Sequence, residues 1–249
     1  MTMTTEVAAV WCLVPAAGRG TRLGAAVPKQ YLTLAGAPLV WHTLSRLADM
    51  PAVRGLVVAL AADDVHWAAH LTPWLDADGG CRGKPLRTVI GGGERADSVL
   101  AALRGLPATV DDDDVVLVHD AARPCVRRTD VERLLAAAVH GDGALLGAPL
   151  RDTLKRADDD GRSVATESRQ SRWRAFTPQM FRRGALTRAL AQAAADGVAV
   201  TDEAMAMERT GVRPRLVEGA EDNLKVTTAA DLALAEFLLP RTREDEPCA

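Results

Sequence analysis

At 249 residues, with 48% apolar but only 4% aromatic residues, the chain is long enough for one α/β unit whose core is mostly Ala, Val and Leu. A formal net charge of −3, with arginines dispersed among acids, excludes a basic nucleic-acid surface and points to a small-molecule ligand. There is no 18-residue apolar run or signal-like basic N-terminus, and Cys12, Cys81, Cys125 and Cys248 lack zinc spacing, so a soluble cytoplasmic protein with reduced thiols, off the membrane, is expected.

In chain order, strand-like apolar runs are expected at 7–14, 56–60, 86–90, 115–119, 144–149 and 215–217. Between them Leu39, His42, Thr43, Leu44 and Leu47 recur at helical spacing, as do Val99, Leu100, Leu103 and Leu106, and Val131, Leu134, Leu135 and Val139. Such alternation predicts an α/β fold with a doubly wound, mostly parallel twisted sheet flanked by helices and a ligand site at the strands' carboxyl ends. The polar stretch 151–175 breaks the pattern. Its turn Asp158-Asp159-Asp160-Gly161 lies between β-like pieces and predicts a projecting hairpin arm, either packed on a second subunit or simply solvated. Further on, Thr201-Asp202-Glu203 fits a helix N-cap with acids in the first turn, and Thr227 or Thr228 caps a helix from about Ala229. A single domain over 7–239 and a flexible tail at 240–249 complete the expected organisation.

The segment from Leu13 to Gln30 follows the first strand with glycines at 18, 20 and 24 and the cations Arg22 and Lys29. Glycines let backbone N–H groups approach phosphate oxygens, and the cations add mobile positive charge, so the segment suits a polyphosphate. It lacks the Gly-Lys-Ser/Thr of a Walker loop, and its third glycine is one place late for the dinucleotide fingerprint. Taken alone, the loop also fits a glycine turn that only joins a strand to a helix.

Three later segments carry chemistry. Gly91-Gly92-Gly93 joins a strand to a helix, with Ser98 one turn inside, its hydroxyl suited to a ligand or, more simply, to the preceding turn. At the fourth strand's end, His119-Asp120-Ala121-Ala122-Arg123 offers Asp120 as a Mg²⁺ ligand or as half of an Asp–Arg ion pair, with His119 a packing or hydrogen-bonding residue. Lys225 is by itself an ordinary lysine. The sequence has neither a G-x-S-x-G elbow nor an evident Cys–His pair, so direct in-line transfer is favoured over covalent catalysis.

Taken together, Pro15-Ala16-Ala17-Gly18-x-Gly20-x-Arg22, Pro28-Lys29-Gln30-Tyr31, Gly92-x-x-Arg95-x-x-Ser98-Val99, His119 to Pro124, Arg151-Asp152-Thr153, Thr177-Pro178-Gln179, Thr201-Asp202-Glu203 and Asp222 to Thr227 resemble the 2-C-methyl-D-erythritol 4-phosphate cytidylyltransferases, over about residues 8–239. The resemblance implies a Rossmann-like nucleotidyltransferase fold and, in the non-mevalonate isoprenoid pathway, transfer of CMP from CTP to methylerythritol phosphate with Mg²⁺. It gives Arg22, Lys29, Arg169 and Lys225 catalytic roles. Pro15, Ala16, Ala17, Gly18, Gly20, Gly92, Ser98, Asp120 and Ala121 would hold the nucleotide. Asp120, Arg123, Thr153, Arg169, Thr177 and Lys225 would hold the sugar phosphate, with Asp120 also the metal ligand. It further implies a homodimer in which the arm carries Thr153 and Arg169 to the neighbour's site.

Two departures stand out. Gly93 occupies a position where some family members carry an acid, so a contact there has to come from backbone, and about seven residues precede the first strand. At this length no fused second enzyme is expected. Ribitol 5-phosphate cytidylyltransferases share the fold and loop and are the nearest rival; a dinucleotide dehydrogenase and a catalytically silent nucleotide-binding regulator are more distant ones.

Overall fold

The structure is a computed structural model that describes residues 9–18, 27–139 and 141–244. Its centre is β1 (Val10–Pro15), whose residues from Val10 to Val14 are all buried. A strand apolar on both faces suits a sheet covered by helices on both sides. Val10, Cys12 and Val14 face one half of the core while Trp11 and Leu13 face the other, as the two-residue repeat of a strand requires.

A short 3₁₀ turn at Lys29–Tyr31 leads to a small hairpin, β2 (Thr33–Leu34) and β3 (Ala37–Pro38). Ala35 and Gly36 both take positive φ there, 45° and 84°, the backbone of a tight two-residue hairpin turn. There follow α1 (Leu39–Ala48), β4 (Val53–Leu60), α2 (His66–His70), β5 (Leu86–Ile90), α3 (Arg95–Arg104), β6 (Val115–Val118), α4 (Arg128–Val139) and β7 (Ala144–Pro149). The arm is β8 (Leu154–Ala157) with β9 (Ser163–Glu167). The chain then returns through β10 (Trp173–Arg182), α5 (Arg183–Ala195), α6 (Glu203–Glu208), β11 (Arg215–Glu218), α7 (Ala229–Leu238) and α8 (Arg241–Glu244).

Seven strands form one sheet in the order β11-β7-β10-β6-β1-β4-β5. Its neighbours run parallel except β10, which is antiparallel to both β6 and β7. The connections leaving β1 and β4 move one way along the sheet and β6 returns to the other side of β1, so a crevice opens where β1 and β6 end. Helices α1 and α4 cover one face, and α3 and α5 the other.

The expected strands and the three helical patterns all appear, the first strand beginning at Val10, with residues 7 and 8 outside the described residues. The small β2–β3 hairpin, α2, β10 and α5 went unseen in the sequence. β10 contains Pro178, which argues against a central strand; its pairing lapses between Ala175 and Gln179, where that proline sits. α5 is rich in alanine and has only a faint apolar stripe. The arm is a two-stranded sheet of its own, with Gly161 at φ 78° in its turn. Where the sequence suggested a tail, α8 forms and Thr242 is fully buried, its carbonyl accepting from the Arg46 guanidinium; residues 245–249 lie outside the described residues. Cys12, Cys81 and Cys125 are free, buried thiols. Among the described residues no helix is long and apolar enough to cross a membrane.

Candidate active site

One cleft lies at the carboxyl ends of β1, β5 and β6. Its walls are Pro15 to Gly18, Lys29 and Gln30, Gly92 to Arg95 with Ser98, Asp120 to Ala122, and Lys225. Of the first loop, Gly20, Gly24 and Arg22 lie outside the described residues. The loop's far end is tied down at two points. Gln30 donates through Nε2 to the Ala16 carbonyl (2.8 Å), and the buried Tyr31 donates its hydroxyl to Asp64 Oδ2 (2.7 Å). Asp64 in turn accepts the backbone N–H groups of His66 and Trp67, both at 2.9 Å, so the Lys29 turn is moored to α2. Lys29 Nζ donates across the cleft to the Val226 carbonyl (3.4 Å).

The second glycine segment is shaped by close approach. A Cβ on Gly91 would lie 2.7 Å from Ser98 Oγ and 2.9 Å from the Ala17 Cβ, and one on Gly92 only 2.2 Å from the Asp97 Cβ. Gly93 faces open space. Asp97 and Glu94 form a reciprocal capping box that starts α3, and Ser98 donates to the Glu94 carbonyl (3.2 Å) while accepting from Gly92 N–H (3.3 Å). The Ser98 hydroxyl therefore serves the preceding turn, although the residue also lines the cleft.

Asp120 is the node of the floor. Its Oδ1 accepts from Arg95 Nε at 3.0 Å; its Oδ2 lies 3.0 Å from Lys225 Nζ and 3.5 Å from Arg123 Nε. Burial raises its pKa, but the charges of Arg95, Lys225 and Arg123 outweigh burial and hold the carboxyl well below the usual carboxylate range. The Asp120 N–H donates to Thr177 Oγ1 (3.0 Å). Behind it, His119 Nε2 is 3.0 Å from the Arg123 carbonyl, which can only accept, so that nitrogen carries the proton; Nδ1 then accepts from the Thr177 hydroxyl at 3.2 Å. Complete burial lowers the His119 pKa to about 4, so the ring is neutral at pH 7. Arg123 donates through Nη1 to the Asn223 carbonyl (2.6 Å), Asn223 donates to the Thr177 carbonyl (2.8 Å), and Val226 N–H to the Ala122 carbonyl (2.9 Å), which docks the Lys225 segment on the floor.

The structure thus brings together Pro15, Ala16, Ala17, Gly18, Lys29, Gly92, Ser98, Asp120, Ala121 and Lys225, with Arg123 and Thr177 directly behind Asp120. Thr153 and Arg169 stand apart: both are exposed at the arm, and the Arg169 guanidinium donates to the Arg151 carbonyl. Two charged residues had been assigned no role in the sequence. In sequence Arg95 is one position of the Gly92-x-x-Arg95 motif, and Glu203 is a first-turn acid behind an N-cap. The cap is real, Asp202 Oδ1 accepting from Met205 N–H at 2.9 Å, but Glu203 is fully buried and grips Arg95 through both oxygens, at 2.6 and 3.1 Å. Only the meeting of the first turns of α3 and α6 in the fold could have revealed that.

Arg95, Arg123 and Lys225 against Asp120 and Glu203 leave one net positive charge on the floor, while Lys29 and Glu94 balance at the wall. Glycine-shaped walls and convergent cations form a receptacle for phosphates. Among the described residues no three His, Cys, Asp or Glu side chains gather to hold a metal; Asp120 on the floor and Glu94 on the wall are the carboxylates that line the cleft.

Comparison with known proteins agrees with this geometry. The family profile of IspD, 2-C-methyl-D-erythritol 4-phosphate cytidylyltransferase, matches residues 10–241. The protein of that name from Xanthomonas campestris pv. campestris (strain B100) is 60% identical over 92% of this chain and 84% of its own length. That from Stenotrophomonas maltophilia (strain K279a) is 57% identical over 94% of this chain and 98% of its own. The crystal structure of the Francisella tularensis 2-C-methyl-D-erythritol 4-phosphate cytidylyltransferase superposes with a TM-score of 0.78 at 32% identity, covering 93% of this chain and all of the other. The Rossmann-like, mostly parallel sheet is that of this group, and the chain belongs to the 2-C-methyl-D-erythritol 4-phosphate cytidylyltransferase family.

Proposed function

We propose that the cleft transfers CMP from CTP to 2-C-methyl-D-erythritol 4-phosphate, forming 4-diphosphocytidyl-2-C-methyl-D-erythritol and pyrophosphate for isoprenoid synthesis. The observation that carries this reading, beyond family membership, is the convergence of Lys29, Lys225 and Arg95 on the space between two glycine segments, with Arg123 behind Asp120. An oxygen of the sugar's phosphate attacks the α-phosphorus in line. The bond to the bridging oxygen breaks, and pyrophosphate departs with its electron pair. Charge accumulates on the α-phosphate and the leaving group, so positioned cations supply most of the catalysis.

Lys29, together with Arg22, is assigned to that charge. Lys225 and Arg123 hold the sugar phosphate around Asp120, with Thr177 steadying the Asp120 backbone. Gly18, Gly20 and Gly92 admit the nucleotide, and Pro15, Ala16, Ala17, Ser98 and Ala121 shape its pocket. A Mg²⁺ ion would be held by Asp120 in place of Lys225 or Arg123 at Oδ2, with phosphate oxygens and water completing its shell. When bound, it neutralises phosphate charge. The arm's exposed Thr153 and Arg169 complete the cleft of a second copy, making the working unit a homodimer. Reduced, buried cysteines suit the cytoplasm.

Pyrophosphate release with CTP and Mg²⁺ tests the reading, run in parallel with methylerythritol 4-phosphate and ribitol 5-phosphate. Release with the first alone is expected. Release with ribitol 5-phosphate alone would move the protein to another polyol, and release with neither would sink the assignment.

A further inference from the structure

Glu203 is a carboxylate with no solvent exposure at the first turn of α6, outside the cleft lining. An ion buried in this way is costly unless it is fully paired. Its partner is Arg95, whose Nη1 and Nη2 point at the two Glu203 oxygens while Nε points at Asp120 Oδ1 (3.0 Å). A guanidinium is a rigid planar fork, so fixing two of its nitrogens fixes the direction of the third. Oδ1 of Asp120 is thereby engaged by Arg95, and Oδ2 is left to Lys225 at 3.0 Å and Arg123 at 3.5 Å.

We propose that Glu203 is a positioning residue for the transfer step: it clamps Arg95 so that Asp120 presents Oδ2, and with it Lys225, to the reacting phosphates. The proposal rests on the cleft being the site of CMP transfer. Without the clamp, Arg95 is free to turn both its Nε and an Nη nitrogen onto Asp120, the usual bidentate pairing of arginine with a carboxylate. That arrangement competes with Lys225 for Oδ2. The glycine walls that would hold CTP are not touched by Glu203, so the loss falls on alignment rather than on nucleotide affinity.

The test is steady-state kinetics of Glu203→Gln, Arg95→Lys and the double variant, each confirmed folded by a cooperative melt. Glu203→Gln is expected to lower kcat about 10²-fold, the scale of a misalignment near 1 Å, with KM for CTP within about twofold of the parent. If the two residues act as one unit, the double variant is no slower than the slower single variant; kcat losses that multiply would overturn the clamp. So would an unchanged kcat in folded Glu203→Gln. Should that variant fail to fold, Glu203→Asp keeps the buried charge but shortens its reach, and the same kcat loss is expected, an unchanged kcat again refuting the idea. A crystal structure of the glutamine or aspartate variant supplies an independent readout: Arg95 is expected to shift onto both Asp120 oxygens, and an unmoved Arg95 refutes the proposal. If the parent protein shows no turnover, the functional reading fails, while the clamp still stands or falls on that structure.

Discussion

Acidification tests the buried wiring behind Asp120 through His119. In the folded chain its Nε2 donates to the Arg123 carbonyl and Nδ1 accepts from Thr177, and burial lowers its pKa to about 4 from an ordinary 6.5. As pH falls below 6.5, the unfolded chain takes up a proton that the folded chain refuses until about pH 4. Stability is therefore greatest above 6.5, declines through this window and levels off below it. At about 1.4 kcal/mol per pH unit, the window corresponds to about 3 kcal/mol. His119→Gln removes the titration while keeping one donor and one acceptor. Urea unfolding followed by tryptophan fluorescence at pH 7, 6, 5 and 4 gives the comparison, and effects of the other acidic groups, present in both proteins, largely cancel in the difference. The parent should lose about 3 kcal/mol more than the variant between pH 7 and 4. Parallel pH profiles would refute the neutral, tautomer-locked histidine.

Three further outcomes follow from the cleft. Lys29→Ala is expected to lower kcat by about 3–4 kcal/mol of barrier while leaving CTP affinity, measured by calorimetry, much less changed; an unchanged kcat contradicts a transition-state role. Gly92→Ala drives a Cβ to within 2.2 Å of the Asp97 Cβ and so into the α3 capping box, whereas Gly93→Ala meets open space. Thermal melts should show a loss of roughly 1–2 kcal/mol for the first and within about 0.5 kcal/mol of no change for the second, and equal effects would contradict the packing argument. Tyr31→Phe removes the hydroxyl bond to Asp64, while the bonds from His66 and Trp67 to that carboxylate remain. A cost of about 1 kcal/mol in urea unfolding and a several-fold lower kcat are expected; full activity would show that the mooring of the Lys29 turn does not matter.

What was legible in the sequence was whatever is local. Apolar strands, the glycine turn at 91–93, the Thr228 cap of α7 and the Asp158–Gly161 arm turn each carry their signal within a few residues, and each is where it was expected. Motif order then placed most of the cleft wall. What was missed depends on partners distant in the chain. β10 is a central strand despite its proline because β6 and β7 flank it and its pairing relaxes locally. Thr242 is buried because Arg46, 196 residues away in sequence, reaches its carbonyl. Glu203 shows the same limit most sharply: on a helix diagram it is an acid suited to the dipole, and only the Arg95 fork, 108 residues away in sequence, makes it part of the site. Thr153 and Arg169 mark the opposite case, assigned from the family resemblance alone and held away from the cleft of their own chain.

The arrangement around Asp120 shows how such a site can exist before its substrates arrive. Three cations within 3.5 Å of one carboxylate repel one another strongly, and in an empty cleft they would gain by spreading into water. Asp120 holds them together, and Glu203 offsets one of them from behind without facing the cleft. The floor is thus left slightly positive rather than strongly so, which limits the cost of assembling it and still favours a polyphosphate. Charge that is already oriented need not be reorganised when it develops on the leaving group, and that is the main way in which fixed cations accelerate transfer. The two buried elements behind the floor, the neutral His119–Thr177 pair and the Glu203–Arg95 fork, keep Asp120 from following the incoming phosphate's pull on its cations. His119 and Glu203, neither of which has any solvent exposure, give this hold its stiffness, since neither has water available as an alternative partner.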